Sequence, residues 1–160
     1  MITVAKEERL TRDTFAQPSR KHGVLVVASD LRMRDVLNLW LIDQGYGVWT
    51  AATGLEAIEI YTHHRDVISV VLLDVNMAEM DGPRTLVALR ELNPQVCCCF
   101  MGDCVNGYTE MGLLDMGAEA VLRKPFRLAE LGKVLWKLAA PIQRQTAMQD
   151  DLWRDDGGQG

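Results

Sequence analysis

Runs of apolar and polar positions along the chain predict five strand and helix pairs. The clearest run is Val67 to Leu73, apolar except for Ser69, rich in β-branched residues, and ending on Asp74. It is too short to span a membrane, and its near-continuous apolarity predicts a strand buried on both faces, as parallel sheets require. Upstream, Val24 to Val27 predicts a short buried strand. Asp30 then caps a helix that runs to Gln44, with Met33, Leu37, Trp40 and Leu41 on one face, and Gly45 stops it. Tyr46 to Ala51 is a second strand, and the capping box Thr53-Gly54-Leu55-Glu56 opens a helix that turns Ala57, Ile58 and Tyr61 inward.

Beyond Asp74 a loop closes in Asp81-Gly82, and a helix from Pro83 to Leu92 carries Leu86 and Leu89 until Asn93-Pro94 ends it. Val96 to Met101 is strand four. A helix near Tyr108 to Met116 follows, weakened at Gly112 by about 1 kcal/mol relative to alanine. Glu119 to Arg123 is strand five, and Leu128 to Ala139 is the last helix, striped by Leu128, Leu131, Leu135 and Leu138. Such strictly alternating pairs imply an α/β, flavodoxin-like (βα)5 sandwich. Its sheet is parallel and five-stranded in the order 2-1-3-4-5, with helices on both faces and right-handed crossovers. The expected organisation is a flexible arm over residues 1–22, the domain over 23–140, and a polar, disordered tail over 141–160, where Trp153 flanked by acidic residues has the form of a small docking peptide.

With 160 residues, 48% of them hydrophobic, the chain can bury a full core in one domain. Its net charge of -5 leaves no general basic footprint, which disfavours nucleic acid and points to protein partners. No apolar stretch approaches the roughly 18 residues of a spanning helix, and the first residues lack the apolar region of a secretion signal. A cytoplasmic protein away from membranes is expected. Cys97, Cys98 and Cys99 would alternate faces on a strand and cannot converge with Cys104 on one ion, so they read as small buried hydrophobes in a reducing compartment. His63 and His64 point apart on their helix and read as solvated.

An open parallel sheet places its chemistry beyond the carboxyl ends of its strands. The predicted topology gathers there Ala28-Ser29-Asp30, Asp74-Val75-Asn76, Met101-Gly102-Asp103 and Lys124-Pro125, so a carboxylate and an ammonium from strands three and five can meet across the crevice. Taken alone, a plain ion pair closing the sheet is the simpler reading. The proline after Lys124 fixes the backbone just where the amine must be aimed, and that favours a working pair.

Asp74 at the end of an apolar strand, Met80-Asp81-Gly82, Gly117-Ala118 before strand five and Lys124-Pro125-Phe126 together resemble the receiver domain of two-component response regulators, a CheY-like pattern over roughly residues 23 to 140. The resemblance implies a signalling module rather than an enzyme. Asp74 would accept a phosphoryl group from a phosphohistidine on a sensor histidine kinase or phosphotransfer protein, with Lys124 as fixed counter-charge. It implies Mg2+ at Asp74 and the backbone carbonyl of Asn76. Yet Ala28 and Ser29 stand where receivers carry an acidic pair, so binding should be weak, with Asp103 as a substitute ligand. The switch hydroxyl is missing at Met101 or Gly102, Val121 replaces the inward aromatic, and Ala78 replaces the usual proline.

A downstream protein partner would use the face formed by Tyr108, Met111, Val121, Leu128 and Trp136 on helix four, strand five and helix five. The expected role is a stand-alone receiver in a phosphorelay, monomeric or weakly dimeric, with no nucleic acid and no membrane contact. The competing role is a phosphorylation-independent pseudo-receiver that binds partners in one conformation. A flavin or nucleotide protein of the same fold is disfavoured, because Ala28-Ser29-Asp30-Leu31-Arg32 has no glycine for close approach to phosphate.

Overall fold

Successive residues of the central strand feed opposite cores, and the whole architecture follows from that alternation. In the computed structural model, which describes residues 22–103 and 107–138, this strand is β3 (Ile68–Asp74). Val71 and Leu73 face one cluster and Val70 and Leu72 the other. The remaining elements are β1 (Gly23–Val27), α1 (Leu31–Asp43), β2 (Gly47–Ala51), α2 (Gly54–His64), α3 (Gly82–Leu92), β4 (Cys98–Met101), α4 (Glu110–Asp115) and β5 (Ala120–Leu122), with a last helix, α5, over residues 128–138.

All pairings are parallel, and the strand order is β2-β1-β3-β4-β5, the order expected from the sequence. The first cluster packs Ala57 and Tyr61 of α2, Leu86 and Leu89 of α3 and Leu113 of α4 on one face of the sheet. The second packs Leu37 and Leu41 of α1 and Leu131 and Leu135 of α5 on the other. The cysteines divide as their alternation requires, Cys98 into the first core and Cys99 into the second. Burial raises both thiols, Cys99 to about 12, and lifts the half-buried Cys97 to about 11. The arm and the tail expected over residues 1–22 and 141–160 fall, except for His22, outside the described residues, as does Cys104.

Helix starts are set by side chains that satisfy orphan amides. Asp30 Oδ1 accepts from the Arg32 amide at 2.9 Å, and Thr53 Oγ1 from the Glu56 amide at 3.1 Å. The Glu56 carboxylate reaches back to the Ala52 amide at 2.9 Å, one residue earlier than a capping box returns. Two starts lie two residues later than the sequence reading, and several other ends, those of β2 and β5 among them, differ by one. Helix α4 starts at Glu110 rather than Tyr108, because Thr109 is its cap and takes the Gly112 amide at 2.9 Å. Strand β4 starts at Cys98 rather than Val96, because a turn bonds the Val96 amide to the Asn93 carbonyl at 3.1 Å. Among the described residues no helix is long and apolar enough to cross a membrane.

Candidate functional site

The register lines up the carboxyl ends of the strands: Val27 lies beside Leu73, Asp74 beside Met101, and Met101 beside Leu122. Asp74 ends β3 with only 4% of its surface exposed. The chain then folds back tightly, the Val75 amide bonding the Met101 carbonyl and the Gly82 amide bonding the Val75 carbonyl, each at 2.9 Å. Gly82 is obligatory in this fold-back, since a Cβ there would sit 2.3 Å from the Asp74 carbonyl oxygen.

Two groups answer the Asp74 carboxylate. Lys124 Nζ donates to Oδ2 at 3.1 Å from the end of β5, and the Asn76 amide donates to Oδ1 at 3.3 Å. The acid's side chain is 6% exposed and the lysine's 28%, so a sheltered anion meets a cation at the rim. Burial of this kind requires a charged partner, because an unpaired carboxylate in a low-dielectric pocket would cost several kcal/mol. The lysine and aspartate named from the sequence are therefore in contact.

Ala28 and Ser29, which open the loop after β1, carry no carboxylate. The Arg34 guanidinium holds that loop shut, donating from one nitrogen to the Ala28 carbonyl at 2.6 Å and the Ser29 carbonyl at 3.0 Å, while Asp30 is spent on its helix. Among the described residues no three acidic, histidine or cysteine side chains converge to hold a metal. Asp103 accepts from the Asn76 side-chain amide through its backbone carbonyl at 3.4 Å. Together with Asp30, Arg32, Met33, Val36, Phe126 and Lys124 it lines a cavity of about 540 Å³, and Asp74 is not part of that lining. Mg2+ ordinarily takes one or two carboxylates together with waters and phosphoryl oxygens, and at the Lys124 contact the carboxylate present is that of Asp74.

Sequence counting left the hydroxyl position between Met101 and Gly102, and the geometry distinguishes them. Met101 is buried in the core under α1 and α5, whereas a Cβ on Gly102 would lie 3.3 Å from Asp74 Oδ1. Gly102 has φ +141°, a conformation that an L side chain rarely adopts. Val121, in the place of the family's aromatic, packs partly buried against the core on the α4 side. Of the other residues named for a partner face, Met111 is 74% exposed, Trp136 is 61% exposed and Leu128 is half-buried. Arg123 Nε and Glu110 Oε2 pair at 3.6 Å across the same face.

One contact escaped the sequence. Tyr108 donates its hydroxyl to Asp81 Oδ2 at 2.8 Å, and the carboxylate beside it raises the phenol's pKa. Asp81 was visible as part of a turn and Tyr108 as a residue before a helix, but nothing in their spacing pairs them.

Strand order, a crevice at the carboxyl edge and an acid tied to a lysine across it define a CheY-like α/β domain. The family model for the response regulator receiver domain matches residues 24–135, and the chain belongs to that family. It is 31% identical over 133 residues to a probable transcriptional regulator, ycf27, of Cyanidium caldarium, covering 82% of this chain and 51% of that one. It is 36% identical to the sensor kinase CckA of Brucella abortus over 79% of this chain but 13% of the kinase. The chain thus spans about half or less of the length of these curated relatives. Among solved structures, CheY4 of Vibrio cholerae is similar with a TM-score of 0.68 and 28% identity, covering 74% of this chain and 98% of that one. Receiver domains are signalling modules of two-component systems, interact with histidine kinases and generally bind Mg2+ for phosphorylation.

Proposed function

We propose that this chain is a phosphorelay receiver in which Asp74 accepts the phosphoryl group, with Mg2+ binding and switching both weaker than the family norm. The observation that carries the reading is the Asp74 carboxylate held at the end of β3 with Lys124 Nζ 3.1 Å from Oδ2. In the transfer step a carboxylate oxygen of Asp74 attacks the phosphorus of a phosphohistidine. An O–P bond forms, the P–N bond breaks, and the imidazole nitrogen leaves with the electron pair and takes up a proton. Lys124 stays within reach of the new phosphoryl oxygens as a fixed positive charge, and the Asn76 amide orients the nucleophile. Mg2+, when bound, would further neutralise the phosphoryl oxygens, but Ala28 and Ser29 give it no carboxylate. Asp103 remains the proposed substitute ligand, through water at most.

A protein phosphodonor fits the surroundings better than a small molecule does. Helix α1, which starts at the crevice, exposes Leu31, Val36, Leu39 and Ile42, and Val36 lines the cavity that also holds Lys124, so the large apolar side chains offer a surface that a partner's helices can cover. Output would pass through Tyr108, Met111, Val121, Leu128 and Trp136 to a second protein. The cytosol is the proposed location, since Cys97, Cys98 and Cys99 are all free thiols.

A second reading, a pseudo-receiver that binds partners without phosphorylation, is favoured by Gly102, which offers no hydroxyl at the position facing Asp74. Incubation with Mg2+ and a small-molecule phosphodonor, followed by intact-mass measurement, separates the two. One added phosphoryl group on the wild type and none on Asp74→Asn supports the acceptor. An unmodified wild type, with small donor and kinase alike, leaves only the binding module.

A further inference from the structure

Helix α4 has six residues with a glycine at 112, too short and too weak to hold its own position. It is fastened to α3 at both ends instead. At its start Tyr108, the residue before the Thr109 cap, donates to Asp81 Oδ2 at 2.8 Å, while Oδ1 of the same carboxylate caps α3 through the Arg84 amide at 3.0 Å. At its end the Arg90 guanidinium, from the last turn of α3, donates to the Met116 carbonyl and lies so close to Gly117 that a Cβ there would collide with it.

The first fastening differs in kind from the second. Asp81 belongs to the loop that leaves Asp74, and the neighbouring Gly82 is pressed against the Asp74 carbonyl. The Tyr108 bond therefore joins the stretch that follows the acceptor to the entrance of α4. Phosphorylation turns the Asp74 carboxylate into an acyl phosphate and so adds about one negative charge, pushed outward beside a loop that already carries the Asp81 carboxylate, where like-charge repulsion would displace that loop. No hydroxyl at Gly102 is available to carry the change instead.

We infer that the Tyr108 to Asp81 hydrogen bond is a latch that holds α4 in place while Asp74 is unmodified, and that phosphoryl occupancy is transmitted to α4 by its release. The inference rests on Asp74 as acceptor and adds the residue that reads it. Tyr108 is a positioning residue, since it acts on α4 and touches no reacting atom. Physical coupling of this kind needs an element with two arrangements that both sites bias, and the short helix supplies it.

Backbone amide exchange followed by NMR on the full chain, with beryllofluoride and Mg2+ as the phosphoryl mimic, tests the latch. In the wild type the mimic should shift the Val75 and Asn76 resonances and speed exchange at Leu113 and Met116. Tyr108→Phe should raise exchange at Leu113 and Met116 by about two- to tenfold before any mimic is added, the loss expected from one hydrogen bond of ordinary strength at a partly exposed site. The mimic should still shift Val75 and Asn76 in that variant, with no further change in α4. Unaltered α4 exchange in Tyr108→Phe, or an α4 that still responds there as in the wild type, overturns the latch alone. A wild type in which Val75 and Asn76 do not move overturns the acceptor reading and the latch with it.

Discussion

Asp74 is sheltered and doubly answered, so removing one of its partners exposes what the other can hold. Lys124→Ala would leave a carboxylate with 6% side-chain exposure and only an amide for company. The lysine's own 28% exposure moderates the loss, and urea unfolding should show a decrease of about 1–2 kcal/mol. In a double-mutant cycle with Asp74→Asn the two losses should fall short of additivity, because each variant breaks the same contact. Gly102→Thr tests the opposite idea, that restoring a hydroxyl is enough. At φ +141°, with its Cβ 3.3 Å from Asp74 Oδ1, the new side chain is strained. The variant should lose about 1–3 kcal/mol in the same assay without gaining phosphorylation. Asp74 and Lys124 were legible from the sequence because each ends an apolar strand and Pro125 marks the aim of the second. The choice between Met101 and Gly102 was not, since it depends on the register of β4 against β3, which counting from Gly117 fixes only to within one residue.

The elements were legible wherever periodicity was strong and blurred where caps decide. Apolar spacing identified four of the five helices among the described residues, α4 being placed only by the loop before it, yet Thr109 and the turn after Asn93 moved two boundaries by two residues each. Helix α1 held a different surprise. One face was read as buried, and the structure also exposes Leu31, Val36, Leu39 and Ile42 on the remaining surface, interspersed with Arg32, Asp35, Asn38 and Asp43. The fold-back after β3 is the element most sensitive to volume. Gly82→Ala must push a methyl into the Asp74 carbonyl, and a loss of about 2 kcal/mol in urea unfolding is expected, together with slower phosphorylation. The Tyr108 bond gives α4 a pH dependence of known sign. Its phenol is raised by the hydrogen bond to Asp81, so the contact is fully present below the ordinary tyrosine pKa of about 10 and is lost as pH climbs through the raised value. Ultraviolet titration should find a tyrosine that ionises late in the wild type and is absent from Tyr108→Phe. Tyr46, also raised, by burial, remains in both.

At the scale of the molecule, two cores on one sheet explain why a single buried strand could predict so much. From Val70 to Leu73 successive residues of β3 alternate between the two cores, and the strand order is the 2-1-3-4-5 that alternating strands and helices predict. What composition could not supply was the connection between loops, because Tyr108 and Asp81 meet through the fold and not through the chain. The central claim is that the crevice still does receiver chemistry at Asp74 with its cation site depleted. Its most direct test is to treat the chain with a small phosphodonor over a wide range of Mg2+, trap any acyl phosphate by borohydride reduction, and map the altered residue by peptide mass spectrometry. Conversion at Asp74 alone, still climbing at the highest Mg2+, is the expected result, whereas conversion at another residue, or none at any Mg2+ concentration, would contradict it.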